Sequence, residues 1–205
     1  MKKQPILKFI RKITSPVFTT REASHVSGKS LSATTQALNN LEKSGIILKV
    51  YRGIWRRAER QDVSPYTLIA SLFPMNRAYV SFTSALHLHG IIEQIPQVVT
   101  LASTTHSRII RTALGDYQVH RITPSFFDGF SWYREKGEFL IASPEKALAD
   151  SLYLSACKKK QYGYFPELHF SKSFSFKEVD KWAEKISNKR IRSNVIGKLK
   201  TIIRK

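Results

Sequence analysis

The 205-residue chain has a single cysteine, Cys157, so it can close no internal disulfide and must be held together by packing. Carboxylates are scarce too: 15 Asp and Glu stand against 34 Lys and Arg, a net charge of +19. A compact chain so unbalanced repels itself unless a polyanion is near, which narrows the partners to DNA, RNA or an anionic membrane surface. Long apolar runs are missing as well. None approaches the roughly 20 residues that span a bilayer. The start, MKKQPILKFIRKI, is broken by Lys8, Arg11 and Lys12, whereas a signal peptide needs an unbroken apolar core of about 7–15 residues. With one cysteine and no leader pattern, the expectation is a cytoplasmic protein.

The shortage of acids also bears on catalysis. Glu145 and Asp150, five apart on one expected helix, point about 140° apart and cannot work as a carboxylate pair. Asp116 and Asp128 lie beside turn residues, where Asp is common for backbone reasons. Cys157 has Lys158–Lys160 beside it, which favours a thiolate, but it has no identifiable histidine partner. His87 and His89 flank Leu88 in a helical stretch and so face different sides, and no ligand-spaced set forms with His106 or His120. These residues read as packing and capping groups. The expectation is a protein that is not an enzyme and uses no metal or cofactor.

Positive charge is abundant, and it is unevenly placed. Residues 1–60 carry 13 Lys and Arg against 3 acids, residues 61–155 carry 7 against 8, and residues 156–205 carry 14 against 4. A neutral middle between two basic ends suggests positive surfaces built from the ends.

In the first block, Ile6, Leu7, Phe9, Ile10 and Ile13 recur at spacings of 3 and 4 behind Pro5, which predicts an amphipathic helix over 5–13. Ser15-Pro16 breaks it. Thr19 or Thr20 can cap a second helix reaching Val26, with Glu22 near its start. Ser27-Gly28 makes a turn. Ser30 or Ser32 caps a third helix to Ser44, with Gly45 just past its end. On that helix Leu31, Thr34, Leu38 and Leu41 form the expected inner face. Ile46–Tyr51 reads as a strand, Arg52-Gly53 as a tight turn and Ile54–Arg57 as the return strand. The order is that of a winged helix-turn-helix.

Residues 27–30, SGKS, invite another explanation, because Gly-Lys-Ser opening a helix is half of a nucleotide-phosphate loop. That loop needs a glycine at position 23, which is Ala23, and a buried strand before it, where TTREASHV reads as helix. The lysine suits a DNA phosphate instead. Before a recognition helix the turn runs beside the backbone, and the helix N-terminus offers free N–H groups. The candidate DNA contacts are therefore Thr20 and Arg21 at the second helix, and Lys29 and Ser30 at the turn. Ser32, Thr35, Gln36, Asn39 and Asn40 are candidates on the third helix, and Lys49, Tyr51, Arg52, Arg56 and Arg57 on the hairpin. Gln and Asn pair bidentately with adenine, while Ser and Thr discriminate less.

The polar stretch 58–65 reads as a linker, giving domains 1–60 and 66–205. Beyond it, 65–73 has helical spacing, 78–82 is strand-like and 83–90 a short helix ending at Gly90. Strands are expected at 96–103 and 117–122, and a hairpin at 130–143 turning at Lys136-Gly137. A helix capped by Ser143 with Pro144 at its first position follows. Aromatics among lysines in 162–176 suit a packed loop better than base stacking. Ser175 and Glu178 have capping-box spacing, and Ile191, Val195, Leu199, Ile202 and Ile203 stripe a basic last helix. The fold class is thus α+β: an N-terminal winged helix-turn-helix, then a mixed α/β domain with a helical C-terminus.

Three segments in this order resemble the AbiEi-type antitoxins, the regulatory halves of type IV toxin–antitoxin systems of abortive infection. RGIWRR (52–57) is similar to that family's wing turn. YVSFTSALHLHGIIEQIPQVVTLAS (79–103) resembles its sALxxHGLxxqxP segment through Ser84, Ala85, Leu86, His89, Gly90, Gln94 and Pro96. IASPEKALADSLYL (141–154) resembles its aSPExALlDxl helix through Ser143, Pro144, Glu145, Lys146, Ala147, Leu148 and Asp150. The basic tail matches loosely. The resemblance implies a two-domain bacterial repressor that binds inverted repeats in its own promoter. It also implies that the C-terminal domain antagonises a nucleotidyltransferase-type toxin without a stable complex. The alternative class is an effector-sensing winged-helix regulator with no toxin partner, in which residues 78–155 hold a small molecule.

Overall fold

The computed structural model describes residues 6–60, 62–75, 77–133, 138–157 and 166–204. Expectations on Pro5, the Lys136-Gly137 turn, Lys158–Lys160, Tyr162, Tyr164, Phe165 and Lys205 lie outside the described residues.

Helix α1 (Ile6–Ile10) is shorter than its apolar spacing predicts; Ile13 lies beyond it but still packs on the core. Strand β1 (Val17–Thr19) follows. Thr19 is the N-cap of α2 (Thr20–Ser27): its hydroxyl accepts the Glu22 N–H at 3.1 Å, and the Glu22 carboxylate accepts the Thr19 N–H at 2.6 Å. This reciprocal box satisfies two donors that a bare helix end leaves open. Gly28 ends α2 at φ 64°, where a side chain would be strained. Ser30, not Ser32, caps α3 (Leu31–Lys43), accepting the Ala33 N–H at 3.2 Å.

Strands β2 (Ile47–Tyr51) and β3 (Ile54–Arg57) form the hairpin around Gly53, and β1 lies on the other side of β3, giving the order β1-β3-β2. Strand β1 is a departure from the sequence expectation. Three residues are too few for alternation to register, and the strand is defined by its antiparallel pairing with β3. Ile6, Ile10, Phe18, Ala23, Leu38, Ile47 and Trp55 make the core beneath these elements.

The chain divides into two compact units, Met1–Pro74 with Arg111–Gly115, and Met75–Ile110 with Asp116–Lys205. The polar stretch 58–65 therefore falls within the first unit, as do a 3-10 turn over Pro65–Leu68 and α4 (Ile69–Leu72).

The larger sheet comprises β4 (Ala78–Val80), β5 (Val99–Ser103), β6 (Arg108–Thr112), β7 (Gly115–Arg121), β8 (Phe130–Tyr133) and β9 (Phe139–Ala142), in the order β6-β7-β5-β4-β9-β8. β4 pairs parallel with β9, and β5 with β7; β4–β5 and β8–β9 are antiparallel. The inner strands β4, β5 and β9 are buried along their whole length, as strands covered on both faces must be. Helix α5 (Phe82–Leu88) locks onto β5 by a reciprocal pair: the Ser84 N–H donates to Thr100 Oγ1 and the Thr100 N–H to Ser84 Oγ, at 3.0 and 2.8 Å. His89, just past α5, has Nε2 2.7 Å from the Ala142 carbonyl, a packing role.

Helix α6 (Pro144–Ala156) is capped by Ser143 and almost wholly buried; α7 (Phe176–Glu184) and α8 (Lys189–Ile203) complete the fold. The expected capping box of α7 is half formed. Ser175 accepts the Glu178 N–H, but Glu178 turns its carboxylate to Lys181 at 2.5 Å, and the Ser175 N–H goes to Glu145 at 3.2 Å. On α8, Val195 and Leu199 are buried, while Ile203 leaves the apolar stripe and is half exposed. Phe170, Phe174 and Phe176, all half buried, pack against one another in tilted and edge-on contacts with centroids 4.5–5.1 Å apart. No helix among the described residues is long and apolar enough to cross a membrane.

Candidate nucleic-acid interface

The turn between α2 and α3 is fixed from within. Gly28 supplies the left-handed residue, and the Ser24 hydroxyl donates to the Lys29 carbonyl at 2.7 Å. This presents Lys29 immediately before the start of α3, where unpaired N–H groups concentrate partial positive charge. Ser30 accepts one of those donors as the cap, and its own hydroxyl proton stays available to an outside acceptor.

On α3, Thr34 and Leu38 are fully buried and Ala37 and Leu41 partly so, which turns the opposite face outward. Ser32, Thr35, Gln36 and Asn40 are exposed and Asn39 is half buried. Thr35 is less free than its type suggests, because its hydroxyl donates to the Leu31 carbonyl at 2.8 Å. Leu31 is a correction: placed by spacing on the inner face, it is 51% exposed. It is the first residue of α3, and side chains lean toward a helix N-terminus, so there it hangs beyond the core.

The hairpin sorts its candidates sharply. Lys49, Tyr51 and Arg52 are exposed, Lys49 with Nζ 5.6 Å from the centre of the Trp55 ring. Three other candidates are drawn into the fold. Trp55 Nε1 donates to the Thr20 hydroxyl at 2.9 Å, and that hydroxyl donates to the Gly53 carbonyl at 3.4 Å, so Thr20 fastens the hairpin to α2. Arg56 donates to the Arg60 carbonyl at 2.6 Å. Arg57, its side chain only 15% exposed, donates to the Ile13 carbonyl at 3.2 Å. Arg21 is exposed on the first turn of α2. Thus Arg21, Ser30, Ser32, Thr35, Gln36, Asn40, Lys49, Tyr51 and Arg52 form the exposed set, with Lys29 and Asn39 half buried beside them.

One cluster escaped the sequence reading. Lys146 and Asp150 are both fully buried and form an i,i+4 ion pair on α6. Asp150 also accepts from Tyr79 at 3.0 Å and Ser81 at 2.6 Å, and the Lys146 ammonium lies 3.8 Å from the Phe126 ring centre and 5.2 Å from that of Trp182. Burial pushes the Asp150 carboxyl up and the Lys146 ammonium down, each partly offset by the other, and holds the Tyr79 phenol well above its ordinary value. Every member is engaged by another, so the cluster ties α6 to β4. Its signal in the sequence is the i,i+4 spacing of Lys146 and Asp150 on one helix.

Two helices across a tight turn, followed by a paired hairpin with an exposed cationic tip, fit the winged helix-turn-helix class within an α+β chain. Residues 5–58 match the family described as transcriptional regulator, AbiEi antitoxin. The match covers the winged segment and supports a transcription-regulating antitoxin role. No curated protein matches the chain.

Proposed function

We propose that the chain is a DNA-binding autorepressor and the antitoxin of a type IV system, acting in the cytoplasm as a regulator and not as an enzyme. The winged segment grips double-stranded DNA at inverted repeats of its own promoter. Lys29 and Ser30 hold a phosphate strand, α3 enters the major groove with Ser32, Gln36 and Asn40, and Lys49, Tyr51 and Arg52 clamp the adjacent backbone. The residues beyond about 66 antagonise a nucleotidyltransferase-type toxin without a stable complex.

The observation that carries the DNA half is the outer face of α3. Apart from Leu31 and Ala33 at its start it is polar, free of acids until Glu42 near its end, and preceded by Lys29 at the helix start. A solvated helix with no polyanion to meet would carry mixed charge there. A gel shift of the full chain on the DNA upstream of its own reading frame tests it. A saturable shift that survives excess random DNA and weakens steeply with salt is expected. Equal affinity for promoter and random DNA would overturn the operator claim.

A further inference from the structure

The outer face of α3 contains an apolar ridge that hydrogen-bond readout leaves without a task. Leu31 is 51% exposed at the first position of the helix. Thr35, four residues on, lies on the same ridge. Its hydroxyl proton is spent on the Leu31 carbonyl at 2.8 Å, so it has no donor left for a base, and its γ-methyl is the group that continues the apolar surface of Leu31. Around them Ser32, Gln36 and Asn40 offer donors and acceptors. The face is thus divided into an apolar strip at the start of the helix and a polar strip beside it.

Base edges in the major groove are mostly donors and acceptors, and the one apolar group among them is the C5 methyl of thymine. The residues nearest a recognition helix's N-terminus are those that reach base edges. We propose that Leu31, with the Thr35 methyl beside it, is a thymine-reading position, selecting T·A pairs by apolar contact with the C5 methyl. This rests on α3 being the DNA-recognition helix. It also exchanges two sequence expectations: Leu31 moves from core to reader, and Thr35 reads through its methyl rather than its hydroxyl.

The test uses double-stranded DNA recovered by repeated selection from a random pool with the full-length protein. Each thymine of the recovered site is replaced singly by uracil, which pairs identically and lacks only the methyl. Binding of the wild type, Leu31→Ala, Leu31→Gln and Thr35→Ser is followed by fluorescence anisotropy, with random DNA as the control for folding. One thymine, or two adjacent ones, should each cost the wild type about fourfold in affinity when replaced, the scale of one buried methyl. The same replacement should cost the Leu31 variants little. Thr35→Ser, which keeps the backbone hydrogen bond, should lose part of the discrimination. An equal uracil penalty in the wild type and both Leu31 variants, or no penalty at any thymine, overturns the assignment and leaves DNA binding by α3 standing. Failure to enrich any sequence removes sequence reading by α3, and this assignment with it.

Discussion

Gln36 and Arg52 are both exposed, on α3 and at the hairpin tip, yet chemistry gives them different work. A guanidinium on a wing meets phosphate, which is the same in every sequence; an amide on the groove face meets one base. Arg52→Ala should weaken specific and random DNA alike and lower the salt slope by about one. Gln36→Ala should leave random DNA unaffected and cost about 1–3 kcal/mol at a single base pair. Titrations of cognate and random duplexes over a range of salt separate the two, and equal losses on both duplexes for both variants would undo the assigned roles. At this scale residue type was legible, but hydrogen-bond commitments were not. Thr20, Arg56 and Arg57 have the right chemistry for phosphate, but each is half buried and hydrogen-bonded within the fold, to Gly53, Arg60 and Ile13. A partner 44 positions away, as Ile13 is from Arg57, leaves no mark in local spacing. The buried pair on α6 makes its own prediction. Asp150→Asn leaves the Lys146 ammonium fully buried without a counter-charge and should cost about 3–5 kcal/mol in urea denaturation. The double change Lys146→Met with Asp150→Leu, which removes both charges, should recover only part of that, because the buried Tyr79 and Ser81 hydroxyls then lose their acceptor.

Among the elements, those with their own start and stop signals were legible. Helices α2, α3 and α6 each have a capping side chain that the sequence displays, and Gly28 and Gly45 mark ends at positive φ. Strands β1 and β6 were not foreseen. β1 is three residues long, and β6, RIIRT, shows two adjacent isoleucines where alternation would place one. Both sit at the edge of a sheet, where pairing rather than local propensity decides. The hairpin is joined to α2 by the hydrogen bond from Trp55 on β3 to Thr20. Trp55 is 1% exposed, so Thr20→Val strands its indole N–H in the core, at about 1–3 kcal/mol. Because the bond also sets the hairpin against α2, affinity should fall on all sequences alike. Denaturation together with anisotropy on random DNA checks both effects. Unchanged stability would mean the bond does not hold the wing.

For the molecule as a whole, charge and packing divide along different lines. Both ends of the sequence are strongly basic, yet the family match stops at residue 58 and the packed first unit extends to Pro74. If repression resides in the winged unit and toxin antagonism in the other, substitutions should separate the two activities. Lys49→Ala with Arg52→Ala removes cations from an exposed hairpin tip and leaves every core residue in place. It should abolish promoter repression while a co-expressed toxin stays neutralised. Asp150→Asn should do the reverse in kind: it loosens α6 against β4, so antagonism should fail first, while the winged unit, with its own core, keeps its DNA affinity. A reporter fused to the promoter and growth under toxin induction, measured in the same strains, give the two readouts. If both variants lost both activities in parallel, the units would be acting as one body and the division of labour would fail.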